Sequence, residues 1–252
     1  MTKKINKILI TNDDGYDAIG LKILQKIAEN FSDNIFIIAP KHNQSAKSRS
    51  ITINKVINFE QKSSNEWIVD GTPTDCVIFG LNHVLKFNKP DLILSGINAG
   101  CNIGDEVSYS GTVAAAWEGA LRGIDSIALS QLGGVDNLNS YENANKNSVQ
   151  VIDMLLDLKK NNAMFFNVNF PLFTNTNIFN ESLLFTKLAK QKSSDEIFLD
   201  SLNNSFKIGR MLTKNEIDDK TDLNTIKNNF ISITPLLLNL TDFSEFNNLT
   251  VR

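Results

Sequence analysis

Short apolar runs alternate with helical patterns through the first half of the chain. KILITN at 7–12, NIFIIAP at 34–40, DLILSG at 91–96 and SIALS at 126–130 are each brief and nearly unbroken in hydrophobicity. Runs of that length and character predict strands buried on both faces rather than helices. Between the first two, Leu21, Leu24, Ile27, Ala28 and Phe31 recur at helical spacing, with Lys22, Gln25, Lys26 and Glu29 opposite. That pattern predicts a crossover helix. A stripe of Val77, Gly80, Leu81, Val84 and Leu85 predicts a second helix over 74–86, and an Ala- and Gly-rich segment at 112–122 predicts a third that can pack closely. The alternation implies an α/β fold: a mostly parallel sheet with helices on both faces.

The texture changes after Gln131. Residues 131–147 are polar and Asn-rich and read as a surface loop, before a helix in which Val149, Ile152, Leu155 and Leu156 share a face. A buried strand is expected at 165–171 and another, FISITP, at 230–235, whereas 172–228 is weakly patterned. The domain reading is a single α/β domain over 1–252, with 180–228 as a protruding arm or oligomerisation segment within it.

Composition narrows the function classes. The 252 residues are 42% hydrophobic and 21% charged, which suits a globular core and excludes disorder. With 25 Lys+Arg against 28 Asp+Glu the net charge is -3, so no general attraction to nucleic acid is expected. No run of about 18 apolar residues occurs, so no membrane partner is expected. The opening MTKKINKILITNDDG is too short in hydrophobics for a leader, which points to a cytoplasmic protein. Cys76 and Cys101 lack the spacing of zinc or redox motifs and read as inert thiols, and with only His42 and His83 a multi-histidine zinc site is excluded.

Four polar clusters fall at strand ends, where ligands bind in open parallel sheets. Asn12-Asp13-Asp14-Gly15 places adjacent carboxylates after the first strand, and a hard divalent ion would relieve their repulsion. A helix cap followed by a solvated turn would use the same residues. The loop from Ala39 to Ser50 follows the second strand with hydroxyls, amides, cations and His42, and reads as either an ordinary polar loop or part of a metal or anion shell. Ser95-Gly96-Ile97-Asn98-Ala99-Gly100-Cys101-Asn102-Ile103-Gly104-Asp105 follows the third strand; its glycines allow close backbone approach, but it is not the GxGxxG fingerprint. Last, Ser110-Gly111-Thr112 enters the alanine-rich helix, where N–H groups and hydroxyls suit a phosphate or simply cap the helix. A cation site beside an anion site is what phosphate-ester hydrolysis requires.

ILITNDDG, QSAKSRSIT, GTPTDCV, PDLILSGINAGCNIGDEVSYSGTVAAAWEG and SITPL, in this order, closely resemble the SurE family. The resemblance is dense to about residue 130 and thin over 131–228. It implies a Rossmann-like fold and a nucleotidase acting on nucleoside 5'- and 3'-monophosphates, with some members also trimming short polyphosphate. It implies one divalent ion per subunit, Mn²⁺ or Mg²⁺, on Asp13, Asp14, Ser45 and Asn98, phosphate contacts from Asn102, Ser110, Gly111 and Thr112, and a homodimer or homotetramer exchanging C-terminal elements. Where the family has a glycine after the ligating serine this chain has Ala46; Glu106 and Asp125 stand where Asp and Pro are common.

The expected mechanism is attack by a metal-activated water, with Asp13 and Asp14 as the catalytic pair and Asp14 orienting the water or accepting its proton. A signalling receiver domain also carries an acidic pair after its first strand, but no later strand here ends in the required Asp or Lys. A catalytically inactive nucleotide- or phosphate-binding module is the alternative.

Overall fold

The apolar runs become the centre of the sheet, because strands with hydrophobic side chains on both faces must be covered twice. A computed structural model describes residues 5–134, 137–158, 163–214 and 218–249. In chain order, β1 (Ile8–Thr11), α1 (Ile19–Ala28) and β2 (Ile35–Pro40) are followed by β3 (Phe59–Ser63), β4 (Glu66–Val69), α2 (Pro73–Phe79) and β5 (Leu92–Ala99). Then come α3 (Gly111–Leu121), β6 (Asp125–Gln131), α4 (Glu142–Asp157), β7 (Phe165–Phe170), β8 (Leu183–Phe185), β9 (Lys192–Asp200) and β10 (Ser205–Thr213). The described chain ends with α5 (Asp222–Lys227), β11 (Ile231–Pro235) and α6 (Phe243–Asn248).

The main sheet has the order β3-β4-β2-β1-β5-β6-β7-β11-β8. From β4 to β7 every neighbouring pair is parallel, with Ile8 of β1 opposite both Ile35 and Leu92; only β3 and β11 run antiparallel to a neighbour, β4 and β7 respectively. The two-residue period of a strand divides the core. Ile8 and Ile10 face α1 and α4, with Leu24, Ile27, Ile152 and Leu155. Leu9 points the other way, with Ile38, Val77, Leu81 and Ile93 under α2 and α3. The expected mostly parallel α/β sheet, covered on both faces, is what the chain forms.

Several boundaries differ from expectation. The helix expected over 74–86 breaks at Gly80 into α2 and a π turn, Gly80–Val84, although Val77, Leu81 and Leu85 are still buried. β5 runs three residues beyond the expected 96, so Asn98 lies in the strand and not in a loop after it. The loop expected over 131–147 is helical from Leu138 onward, although 135–136 lie outside the described residues. Part of its polar composition is buried and bonded, Asn143 donating to the Pro171 carbonyl at 2.7 Å and Asn147 to Asn143 at 2.6 Å, while Asn137, Asn139, Glu142, Asn145 and Lys146 are exposed. Polar composition there is divided between a solvated face and an internal network, on a helix in place of the expected loop. The β3–β4 hairpin was not expected, and β3 is exposed along its length.

Within 180–228, β8 joins the main sheet beside β11 and α5 packs against β11. Only β9 and β10 leave it, as a separate antiparallel ribbon; 215–217 lie outside the described residues. Among the described residues no helix is long and apolar enough to cross a membrane.

The small-residue helix does pack closely. A Cβ on Gly119 of α3 would lie 2.4 Å from Ile93 Cδ1 and 2.5 Å from Ser126 Oγ. In an open helix Gly→Ala gains roughly 0.5–1 kcal/mol. Here Gly119→Ala is expected instead to cost about 1–3 kcal/mol through overpacking, read as a lower urea midpoint at unchanged slope.

Candidate active site

Strand order reverses at β1: β2 and β4 extend the sheet on one side, β5 and its successors on the other. Such a reversal opens a crevice at the strands' carboxyl ends. Asp13 and Asp14 follow β1 and Asn98 ends β5, so both sides of the crevice carry polar groups.

Asp13 is 4% exposed. Its Oδ1 accepts the Thr112 hydroxyl, and its backbone carbonyl accepts the Gln44 N–H at 2.7 Å. One residue thereby ties β1 to the start of α3 and to the loop after β2. Burial raises the Asp13 carboxyl to about 6, opposed by the Thr112 hydrogen bond and reinforced by the charge of Asp14. The folded chain therefore retains a proton that the unfolded chain releases between 3.8 and about 6. The resulting penalty on the fold is absent below that window and complete above it, unless a cation pairs with the carboxylate. Asp14 Oδ2 accepts the Ala99 N–H at 3.0 Å, which joins the acidic pair to β5.

Gly111 permits this approach. A Cβ there would sit 2.8 Å from Asp13 Cβ and 2.9 Å from Asp13 Oδ2, so any side chain would push helix and carboxylate apart. Ser110 caps α3, its Oγ accepting the Val113 N–H at 3.1 Å, which leaves its hydroxyl proton available to donate. The N–H groups of Gly111 and Thr112 head the helix, where no preceding turn supplies a carbonyl.

Asp13, Ser45, Asn98, Asn102 and Ser110 line one cavity of about 620 Å³. Asp14 and Thr112 flank it through the bonds just described, so the structure brings all eight sequence-derived residues together. Thr112 is fully buried and its hydroxyl proton is committed to Asp13. Asn98 Nδ2 donates to the Gly100 carbonyl at 2.8 Å, which leaves Oδ1 as its acceptor. Ser45 lies on the loop after β2, beside Ala46, whose φ of 59° is the left-handed value that favours glycine. His42 is exposed and does not line the cavity. Burial pushes the Cys101 thiol up to about 12 and the Cys76 thiol well above its ordinary value, so both are protonated and unreactive.

The donor set is entirely oxygen. Among the described residues no three His, Cys, Asp or Glu cluster, so two carboxylates, an amide and a hydroxyl would have to serve a metal. Beside them Asn12 Oδ1 is buried without a hydrogen-bond partner. A buried and a half-buried carboxylate among neutral oxygens fit a hard divalent cation and not zinc or copper.

Several supporting residues were not singled out from sequence. The Asn102 carbonyl accepts Asn167 Nδ2 at 2.8 Å and Asn169 Nδ2 at 3.0 Å, its N–H donates to Asn169 Oδ1 at 2.8 Å, and its amide donates to Ser130 Oγ at 2.8 Å. Two asparagines two apart in the apolar strand FFNVNF were the available signal, since they share one strand face. Asp222, buried, accepts the Gly104 and Ala189 N–H groups at 2.8 and 2.9 Å, and nothing local in sequence announces that contact. Glu106 and Lys192 also line the cavity; burial raises the Glu106 carboxyl above its ordinary range.

The family model described as Survival protein SurE matches residues 8–195. A protein named 5'-nucleotidase SurE from Paramagnetospirillum magneticum is 40% identical over 238 residues, covering 93% of this chain and 91% of that protein. One of the same name from Wolbachia sp. subsp. Drosophila simulans is 39% identical over 246 residues, covering 95% and 93%. The crystal structure of the SurE protein from Aquifex aeolicus superposes with a TM-score of 0.81 at 30% identity, covering 96% of this chain and 98% of that one. The strand-end segments that carry Asp13, Asp14, Ser45, Asn98, Asn102 and Ser110 fall inside the matched span and the relatives match nearly the whole length, so the chain belongs to the Survival protein SurE family.

Proposed function

We propose that this chain is a divalent-metal-dependent nucleotidase that hydrolyses nucleoside 5'- and 3'-monophosphates to nucleoside and phosphate. The observation that carries the reading is the contact between Asp13 and the start of α3, because it sets a cation site against an anion site in one cavity. The relatives' name, 5'-nucleotidase, supports the nucleotide substrate. Short polyphosphate is a further substrate in this reading.

Asp13, Asp14, Ser45 Oγ and Asn98 Oδ1 would hold the ion, and Mn²⁺ or Mg²⁺ suits their hardness. When bound, such an ion neutralises phosphate charge and lowers the pKa of a coordinated water. The chain's own groups do the rest. Ser110 donates its hydroxyl to a phosphoryl oxygen, and the Gly111 and Thr112 N–H groups, with the helix dipole behind them, favour the charge that builds there. Asn102, its backbone fixed by Asn167 and Asn169, presents its amide at the same wall. Thr112 acts through Asp13: its hydrogen bond selects the ionised carboxylate and holds its orientation. Asp14 orients the attacking water and takes its proton. The exposed apolar residues of the β9–β10 ribbon, including Phe198, Leu199, Leu202 and Phe206, suit contact with a second copy in a homodimer or homotetramer.

Chelator-treated protein is expected to release no phosphate from 5'-AMP or 3'-AMP and to recover on addition of Mn²⁺ or Mg²⁺. Asp13→Asn should lose at least about 100-fold in kcat/KM, the order expected when one strong transition-state interaction is removed. Phosphate release by Asp13→Asn at the wild-type rate would overturn the assignment. An inactive binding module would instead bind AMP without turnover at saturating metal.

Because Asp13 must lose its proton to ligate, Mn²⁺ affinity measured by calorimetry should fall about tenfold for each pH unit below about 6 and level off above it. Gly111→Ala should weaken Mn²⁺ binding about tenfold while leaving the circular dichroism spectrum intact, since the added Cβ displaces Asp13 and not the sheet.

A further inference from the structure

The phosphate end of the cavity is built by strand-end loops, but its opposite wall comes from the ribbon: Lys192 and Asp195 of β9, and Ile208, Gly209 and Met211 of β10. In a regular strand, side chains an odd number of residues apart point to opposite faces. Lys192 and Asp195 are such a pair, and so are Ile208 and Met211; none of the four should share a face with its mate. The pairing explains why they do. Between Ile208 and Met211 the partner strand advances only from Ile197 to Asp195, so β10 carries one extra residue. Between Leu212 and Thr213 the partner moves from Ser194 to Lys192, so there β9 carries the extra residue. Each bulge reverses the alternation once, which brings both pairs to the cavity side.

Gly209 lies within the first bulge, where the partner strand approaches closely. A Cβ there would lie 2.5 Å from Phe198 Cε2 and 2.8 Å from Glu196 Cβ. The ribbon is also fixed at its base, where Asp105 Oδ2 accepts the Gln191 and Lys192 N–H groups at 2.8 and 2.7 Å. Lys192 Nζ is held across the cavity mouth, 3.0 Å from Tyr109 Oη, 2.9 Å from Asp195 Oδ2 and 4.7 Å from the Tyr109 ring centre. The wall so formed is amphipathic. Ile208 and Met211 offer an apolar surface, Tyr109 a ring, and Lys192 a cation in a cavity whose other charged lining residues are Asp13, Glu106 and Asp195. That is the chemistry of a flat heteroaromatic group with polar edges, and a cavity of about 620 Å³ falls in the size range of small-molecule sites.

We infer that the β9–β10 ribbon supplies the nucleoside subsite: Ile208 and Met211 pack against the base, and Lys192, positioned by Tyr109 and Asp195, faces its polar edge or the ribose hydroxyls. The inference rests on the nucleotidase reading and adds where the nucleoside sits. Selectivity for nucleotides over other phosphate esters then resides in the ribbon, while hydrolysis resides at the strand ends.

The test compares 5'-AMP with glycerol phosphate, a phosphomonoester without a base, in the intact protein, an Ile208→Ser/Met211→Ser double variant and a variant lacking Gly209. Removing Gly209 restores regular alternation and turns half of the wall away without changing any side chain's chemistry. Both changes should lower the preference for AMP, taken as the ratio of the two kcat/KM values, about tenfold, chiefly through the KM for AMP. Calorimetry with AMP should show the same loss. A ratio within twofold of the intact protein in both variants overturns the subsite. AMP binding without turnover in the intact protein, weakened in both variants, upholds the subsite while failing the nucleotidase reading; absence of both binding and turnover overturns the two together.

Discussion

The hydrogen bond from the Thr112 hydroxyl to Asp13 is the constraint around which the site is assembled. It joins the carboxyl end of the central strand to the first turn of α3. It is possible only because Gly111 has no side chain to hold the two apart. The consequence is electrostatic as well as geometric. A carboxylate is drawn into a nearly dry position beside a second carboxylate, where its ionised form is disfavoured without a cation. Fold and chemistry are therefore in tension at one atom, and binding of a divalent ion would resolve it.

Other buried polar groups extend the same logic outward. Asn167 and Asn169 hold the backbone of Asn102 from a neighbouring strand, Asp222 holds Gly104, and Asp105 holds the base of the ribbon. Each is a side chain accepting from or donating to backbone in a loop or at the first residue of an element, where no regular ladder satisfies it. Asp75 plays this part farther away, accepting the Thr52 N–H at 2.9 Å and the Thr52 hydroxyl at 2.7 Å while completing the capping box of α2 with Thr72. Such networks are rigid because leaving any member unsatisfied costs more than the bond itself returns. They convert irregular loops into a fixed frame.

The ribbon obeys a different rule. It has little core of its own, and its position is set by backbone bonds at its base and by two bulges that redirect side chains. It is the part of the cavity that sequence can change without disturbing the strand-end loops, which fits a family match that ends at residue 195, inside β9.

The sequence by itself determined the sheet centre, the crossover helix and the residues of the strand-end clusters. Hydrophobic period and chain-end chemistry are local properties, so KILITN, DLILSG and Ser110-Gly111-Thr112 announce themselves without any partner. It misread 131–147 because buried and solvated asparagines look the same in a linear string; Asn143 and Asn147 are internal only because Pro171 and α4 surround them. Tertiary structure alone decided that Asp13 meets Thr112 across 99 positions of chain, that β11 runs antiparallel beside β7, and that two one-residue irregularities turn Lys192 and Met211 into the cavity. These depend on register and long-range packing, where a shift of one residue reverses every side chain and leaves the composition of the segment unchanged.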